Sequence, residues 1–223
     1  MKIIIANYRT GSSVFAKSLG GDGNEYLHSK TRAVTGFVGP TKNTHVYKVM
    51  PDQFGYEDYY ASFRDLYLKP AEKIYYTLRR DFNAQIKSHL YAGLTHDWHP
   101  WQQIAPDELY PKDWANRTNP MFNTDLPIHI QQAEMVKFAS NFAKQDLKNL
   151  KWQAMIYKEF GGELVWLEDN FNEKVKYKRR KHLNLPKLDY NVDVEAFFNE
   201  WRYNNKFTCR WHITVCSSVK YSN

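Results

Sequence analysis

Apolar and polar positions alternate along this chain with two periods, one of strands and one of helices. Lys2-Ile3-Ile4-Ile5-Ala6 is a short run rich in β-branched residues. It reads as a buried strand at the centre of a parallel sheet. The polar turn Asn7-Tyr8-Arg9-Thr10-Gly11-Ser12-Ser13 breaks the run, and residues 14–19 then suit a helix. Residues 44–50 read as a second strand stopped by Pro51. Residues 52–68 read as an aromatic-rich helix in which Phe63, Leu66 and Tyr67 share a core face. A third strand spans 73–78, followed by Arg79-Arg80-Asp81 and by a helix over 82–94 with Ile86, Leu90 and Leu94 at a spacing of four. The longest helical pattern covers 128–160. Met135, Phe138, Ala139 and Phe142 form its apolar face, Leu147, Leu150 and Ala154 continue it after an adjustment of phase, and Gly161-Gly162 ends it. A fourth strand over 163–167 carries Glu168-Asp169 at its carboxyl end. Residues 193–202 make a short helix with Val194, Phe197, Phe198 and Trp201 apolar, and an alternating strand over 207–216 closes the chain.

Strand and helix in alternation predict an α/β fold, a three-layer sandwich with a central parallel sheet and helices on both faces. With 223 residues, 43% of them hydrophobic, the chain suits a single domain with one sizeable core. That core spans 1–170. Residues 95–127 interrupt it with five prolines, Trp98, Trp101 and Trp114, and no clean period. Two readings stay open for that stretch: a lid or acceptor-binding insertion, and a packed irregular surface segment. His96, Asp97 and His99 within it lack a third ligand at usable spacing, so no metal is expected. The segment 171–223 is the divergent C-terminal segment of the same domain.

Charge and cysteines narrow the classes. The net charge is +7 and the pI about 9.2, which favours an anionic ligand. Much of the excess lies in the basic run 174–182, either a nucleotide contact or a solvated face. No apolar stretch approaches the about 20 residues needed to span a membrane, and the N-terminal run is too short for a signal peptide. Cys209 and Cys216 lie seven apart, on opposite sides of an unbroken strand, which disfavours a mutual disulfide or a shared metal. Two thiols of that kind fit a reducing compartment, and the expected location is the cytoplasm.

The candidate chemistry gathers at the carboxyl ends of the expected strands, where parallel α/β sheets bind ligands. Arg9 to Ser13, Lys48 to Met50, Arg79 to Asp81 and Glu168-Asp169 meet there, and three of these four groups carry a cation. The first turn suits a phosphate or sulfate: Gly11 permits close backbone approach, Thr10, Ser12 and Ser13 offer hydroxyls, and Arg9 offers a forked charge. The alternative is an ordinary strand–helix turn with serine as the N-cap. The turn is not a Walker A loop, because no Gly-Lys-Ser or Gly-Lys-Thr completes it. Arg80 ends the third strand and Ser88 lies eight residues on, a pair suited to a second phosphate.

These residues resemble the PAPS-dependent sulfotransferases, most closely the bacterial trehalose-type branch. Tyr8-Arg9-Thr10-Gly11-Ser12-Ser13 is similar to the family's 5′-phosphosulfate loop, and Arg80 with Ser88 to its 3′-phosphate pair. Glu25-Tyr26-Leu27 resembles that branch's Glu-Tyr-Phe segment, and Lys48-Val49-Met50 its Lys-hydrophobic-Met segment. Arg79-Arg80-Asp81 through Ala84-Gln85 to Ser88 and Trp98 follows its Arg-Arg-Asp signature. Trp166-Leu167-Glu168-Asp169 resembles its later strand end, with Leu167 where tyrosine is usual. The resemblance covers about residues 2–170. Met50 and Pro51 stand where the other soluble branch has a catalytic histidine, and the family's glycine-rich C-terminal segment has no counterpart after residue 170.

The resemblance implies a P-loop NTPase-like sulfotransferase fold and transfer of a sulfuryl group from PAPS to a hydroxyl-bearing small molecule or glycan, leaving PAP. It makes Glu25 the general base. Arg9 and Lys48 stabilise developing charge, Arg9, Thr10, Gly11, Ser12 and Ser13 hold the phosphosulfate, and Arg80 and Ser88 hold the 3′-phosphate. Two other classes compete. An ATP-dependent phosphotransferase lacks its Walker lysine. A non-catalytic module binding anionic ligands or nucleic acid leaves the strand-end convergence unexplained.

Overall fold

The computed structural model describes residues 1–21, 45–54, 57–95, 128–170 and 185–203. Strand β1 (Lys2–Ala6) leads into helix α1 (Ser12–Ser18). Strand β2 (Val46–Val49) is followed by a 3-10 turn (Pro51–Phe54), helix α2 (Glu57–Phe63) and a π-helical turn (Arg64–Leu68). Strand β3 (Lys73–Leu78) and helix α3 (Phe82–Thr95) precede the 33-residue helix α4 (Ile128–Phe160). Strand β4 (Glu163–Trp166), the short helix α5 (Leu167–Asn170) and helix α6 (Val194–Tyr203) complete the described elements.

The four strands form one all-parallel sheet in the order β2-β1-β3-β4. Ile3, Ile4 and Ile5 of β1 are 0% exposed. A strand covered on both faces must be apolar at successive positions, and this one is. The pairing of Ile4 with Lys48 and with Tyr75 puts all three on one face. That face packs against α1 through Phe15, Ala16 and Leu19. On the opposite face Ile3, Ile5, Val49 and Tyr76 pack with Phe63, Leu68 and Ile156 of α4. A further cluster joins Leu78 to Leu90 of α3, Leu150 of α4 and Phe198 of α6. Helices therefore lie on both faces of a parallel sheet, as the strand–helix alternation requires. β1 connects towards β2, whereas β3 connects towards β4, so the strand order reverses between the carboxyl ends of β1 and β3.

The boundaries differ from expectation where local hydrogen bonding decides them. α1 starts at Ser12, and its N-cap is Gly11 with no side-chain capping bond, not a serine. Leu66 is 59% exposed, not part of the core face with Phe63. The reason is the π-helical turn: the Lys69 amide donates to the Arg64 carbonyl, five residues back. This wider turn puts Leu68, five after Phe63, on the buried side. β4 ends at Trp166, and Leu167 opens α5. Asp193 caps α6 rather than starting it, its Oδ1 accepting the Ala196 amide at 2.9 Å. The strand expected over 207–216, both cysteines, the basic run 174–182 and nearly all of 95–127 lie outside the described residues. No helix among the described residues is long and apolar enough to cross a membrane.

Candidate functional site

The turn after β1 is tied down residue by residue. Thr10 is buried, and its hydroxyl donates to the Asn7 carbonyl at 2.7 Å while lying 2.8 Å from the Thr77 hydroxyl of β3. The Tyr8 hydroxyl donates to Asp52 at 2.8 Å, and Gln145 of α4 donates to the same carboxylate oxygen at 2.8 Å. Between these anchors Arg9 adopts a positive φ of 59°. A non-glycine residue in this region is strained by about 1 kcal/mol or more and persists only where its surroundings over-determine it. Gly11 takes the same region at φ 73° without that penalty.

The cations of the site reach hydroxyls supplied by other elements. Arg9 Nε donates to Ser88 Oγ on α3 at 2.9 Å. Lys48 is 1% exposed and its Nζ donates to Ser13 Oγ on α1 at 2.7 Å. Arg9 and Ser88 thus link the turn after β1 to α3, and Lys48, within β2, reaches the start of α1 through Ser13. Thr10 contributes differently, because its hydroxyl is directed inward and locks the turn to β3. Ser12 is buried as well.

Arg80 is held elsewhere. Its Nη1 and Nη2 donate to the two carboxylate oxygens of Asp169 at 2.6 and 2.9 Å. Its guanidinium lies over the Trp166 ring, 4.6 Å from the centroid. Its main-chain amide donates to Glu168 at 3.0 Å. The structure therefore pairs Ser88 with Arg9 and Arg80 with Asp169. Glu25 lies outside the described residues, as do His96, Asp97 and His99. Among the described residues no cluster of three or more His, Cys, Asp or Glu side chains could hold a metal ion.

A buried polar layer under the turn was missed by sequence reasoning. Asp146 of α4 is 0% exposed, and its Oδ2 accepts from Gln85 at 3.1 Å and lies 3.3 Å from His89 Nδ1. Loss of solvent raises the Asp146 pKa above the usual carboxylate value, against the opposing pull of His89. The His89 ring stacks between Tyr8 at 4.6 Å and Phe142 at 4.1 Å. Asn7 donates to the Asp146 carbonyl at 2.9 Å. Gln153 donates to the Ile5 and Thr77 carbonyls at 2.8 and 3.1 Å, bridging the ends of β1 and β3. The signal was present: Asp146, Asn149 and Gln153 form a polar stripe at helical spacing beside the apolar one. Comparison of the chain with protein-family models, with curated proteins and with solved structures gives no match.

Proposed function

We propose that this protein is a sulfotransferase with a P-loop-like fold, moving a sulfuryl group from PAPS to a hydroxyl of a carbohydrate or glycolipid. One observation carries the reading: the turn after β1 and the helix it opens hold two cation–hydroxyl contacts, Arg9 on Ser88 and the buried Lys48 on Ser13. Core packing gives no reason to collect two cations there, whereas an anionic ligand does. The finer choice of PAPS rests on the resemblance of the 8–13 and 79–88 segments. In this reading Arg9, Ser13 and the Gly11 turn hold the phosphosulfate. The acceptor oxygen attacks sulfur in line, the bond from sulfur to the bridging phosphate oxygen breaks, and Glu25 takes the acceptor proton. Lys48 and Arg9 offset the charge that grows on the bridging oxygen. Such transfers depend chiefly on positioning and on charge stabilisation.

Thermal shift with PAP, ADP and ATP tests the reading directly. PAP should raise Tm, and ADP and ATP should raise it less. Glu25→Gln should keep the PAP shift and lose transfer to hydroxyl acceptors. An equal response to all three nucleotides, or none, overturns the proposal. Full transfer by Glu25→Gln removes Glu25 from the mechanism.

A further inference from the structure

The second phosphate of the proposed nucleotide has a rival inside the protein. Arg80 and Asp169 meet fork to fork, the geometry in which a guanidinium also takes a phosphate. Glu168 fixes the backbone beneath, accepting the amides of Arg80 at 3.0 Å and Asp81 at 3.3 Å. Trp166 supports the guanidinium plane from β4. The side chains are 43% and 55% exposed, so the pair sits in solvent. The pair is bidentate but exposed, so water screens it, and release of Asp169 leaves no buried charge unpaired. A phosphate group carries more charge than a carboxylate and offers three acceptor oxygens.

We infer that Asp169 is an internal competitor for the second phosphate: it closes on Arg80 when that phosphate is absent and is displaced when it binds. The inference rests on the sulfotransferase reading, since it assumes a ligand with two separated anionic groups. The exchange lowers the net gain from gripping that phosphate, and so it weakens retention of PAP after transfer. A nucleotide without the second phosphate leaves the Arg80–Asp169 pair closed and is indifferent to it.

Calorimetric titration of the full chain with PAP and with ADP, for the wild type, Asp169→Asn and Asp169→Ala, tests this. Removing the competitor should tighten PAP binding about two- to fivefold in both variants, with ADP binding unchanged. Unchanged or weaker PAP binding in both variants, with a wild type that does bind PAP, makes Asp169 a structural clip and overturns the inference alone. Equal tightening for ADP and PAP also overturns it, because the effect is then one of general charge. Absence of PAP binding in the wild type overturns the sulfotransferase reading and the inference together.

Discussion

Asp146 is a carboxylate without solvent contact, and its Oδ1 has no hydrogen-bonding partner among the described residues. Burial disfavours its charged form, Asp52 adds to that effect, and the Gln85 and His89 contacts oppose it. The balance leaves the folded-state pKa above the unfolded value of about 3.9. The folded protein therefore holds a proton that the unfolded chain has already released. Stability from this source is full below the unfolded pKa and is lost as pH rises through the folded one. Asp146→Asn removes the charge but keeps groups that can face Gln85 and His89. The Tm of the variant relative to wild type should improve as pH rises from about 4 towards neutrality. A difference that stays constant over that range in thermal melts would show that burial of the charge is not the controlling effect.

At the scale of elements, β1, β3, α3 and α4 were legible because the apolar period and the length of each agree, even though α4 also buries the polar stripe Asp146, Asn149 and Gln153. The 52–68 segment was less so. A π-helical turn shifts the phase of every later side chain, and no composition rule announces it, so Leu66 was placed inside and Leu68 was overlooked. The α4 to β4 junction shows how tightly one link can be specified. Gly161 has φ +65° and open space where a Cβ would stand. Gly162 has φ +127°, and a Cβ there would lie 2.5 Å from the Ile74 carbonyl oxygen of β3. Gly161→Ala should cost about 1–2 kcal/mol, the penalty of a left-handed backbone alone. Gly162→Ala adds a clash with main chain that cannot rotate away, for a total of about 2–5 kcal/mol. Urea unfolding of the two variants measures the difference, and equal losses would contradict it.

Across the whole molecule, the places of Arg9 after β1 and of Arg80 after β3 could be read because parallel-sheet topology alone puts those turns at one edge. The pairing of Arg80 with Asp169 in place of Ser88 could not, although those strand ends were expected to meet, because only the register of β3 on β4 selects that partner. The same long-range logic governs cooperativity. α4 places Leu150, 2% exposed, in the cluster with α3 and α6, and Ile156, 0% exposed, in the cluster under β1 and β3. Gln153 lies between them and hydrogen-bonds to the sheet. One continuous helix thus joins both clusters, and neither can lose its packing while the other keeps α4 in place. Leu150→Ala and Ile156→Ala should each cost about 2–5 kcal/mol. Because they belong to one unit, both should lower the urea midpoint without changing the slope. Tryptophan fluorescence and far-ultraviolet circular dichroism should trace coincident curves in both variants. A second transition in either one, or curves that separate between the two probes, would mean that the two clusters unfold independently and that α4 does not couple them.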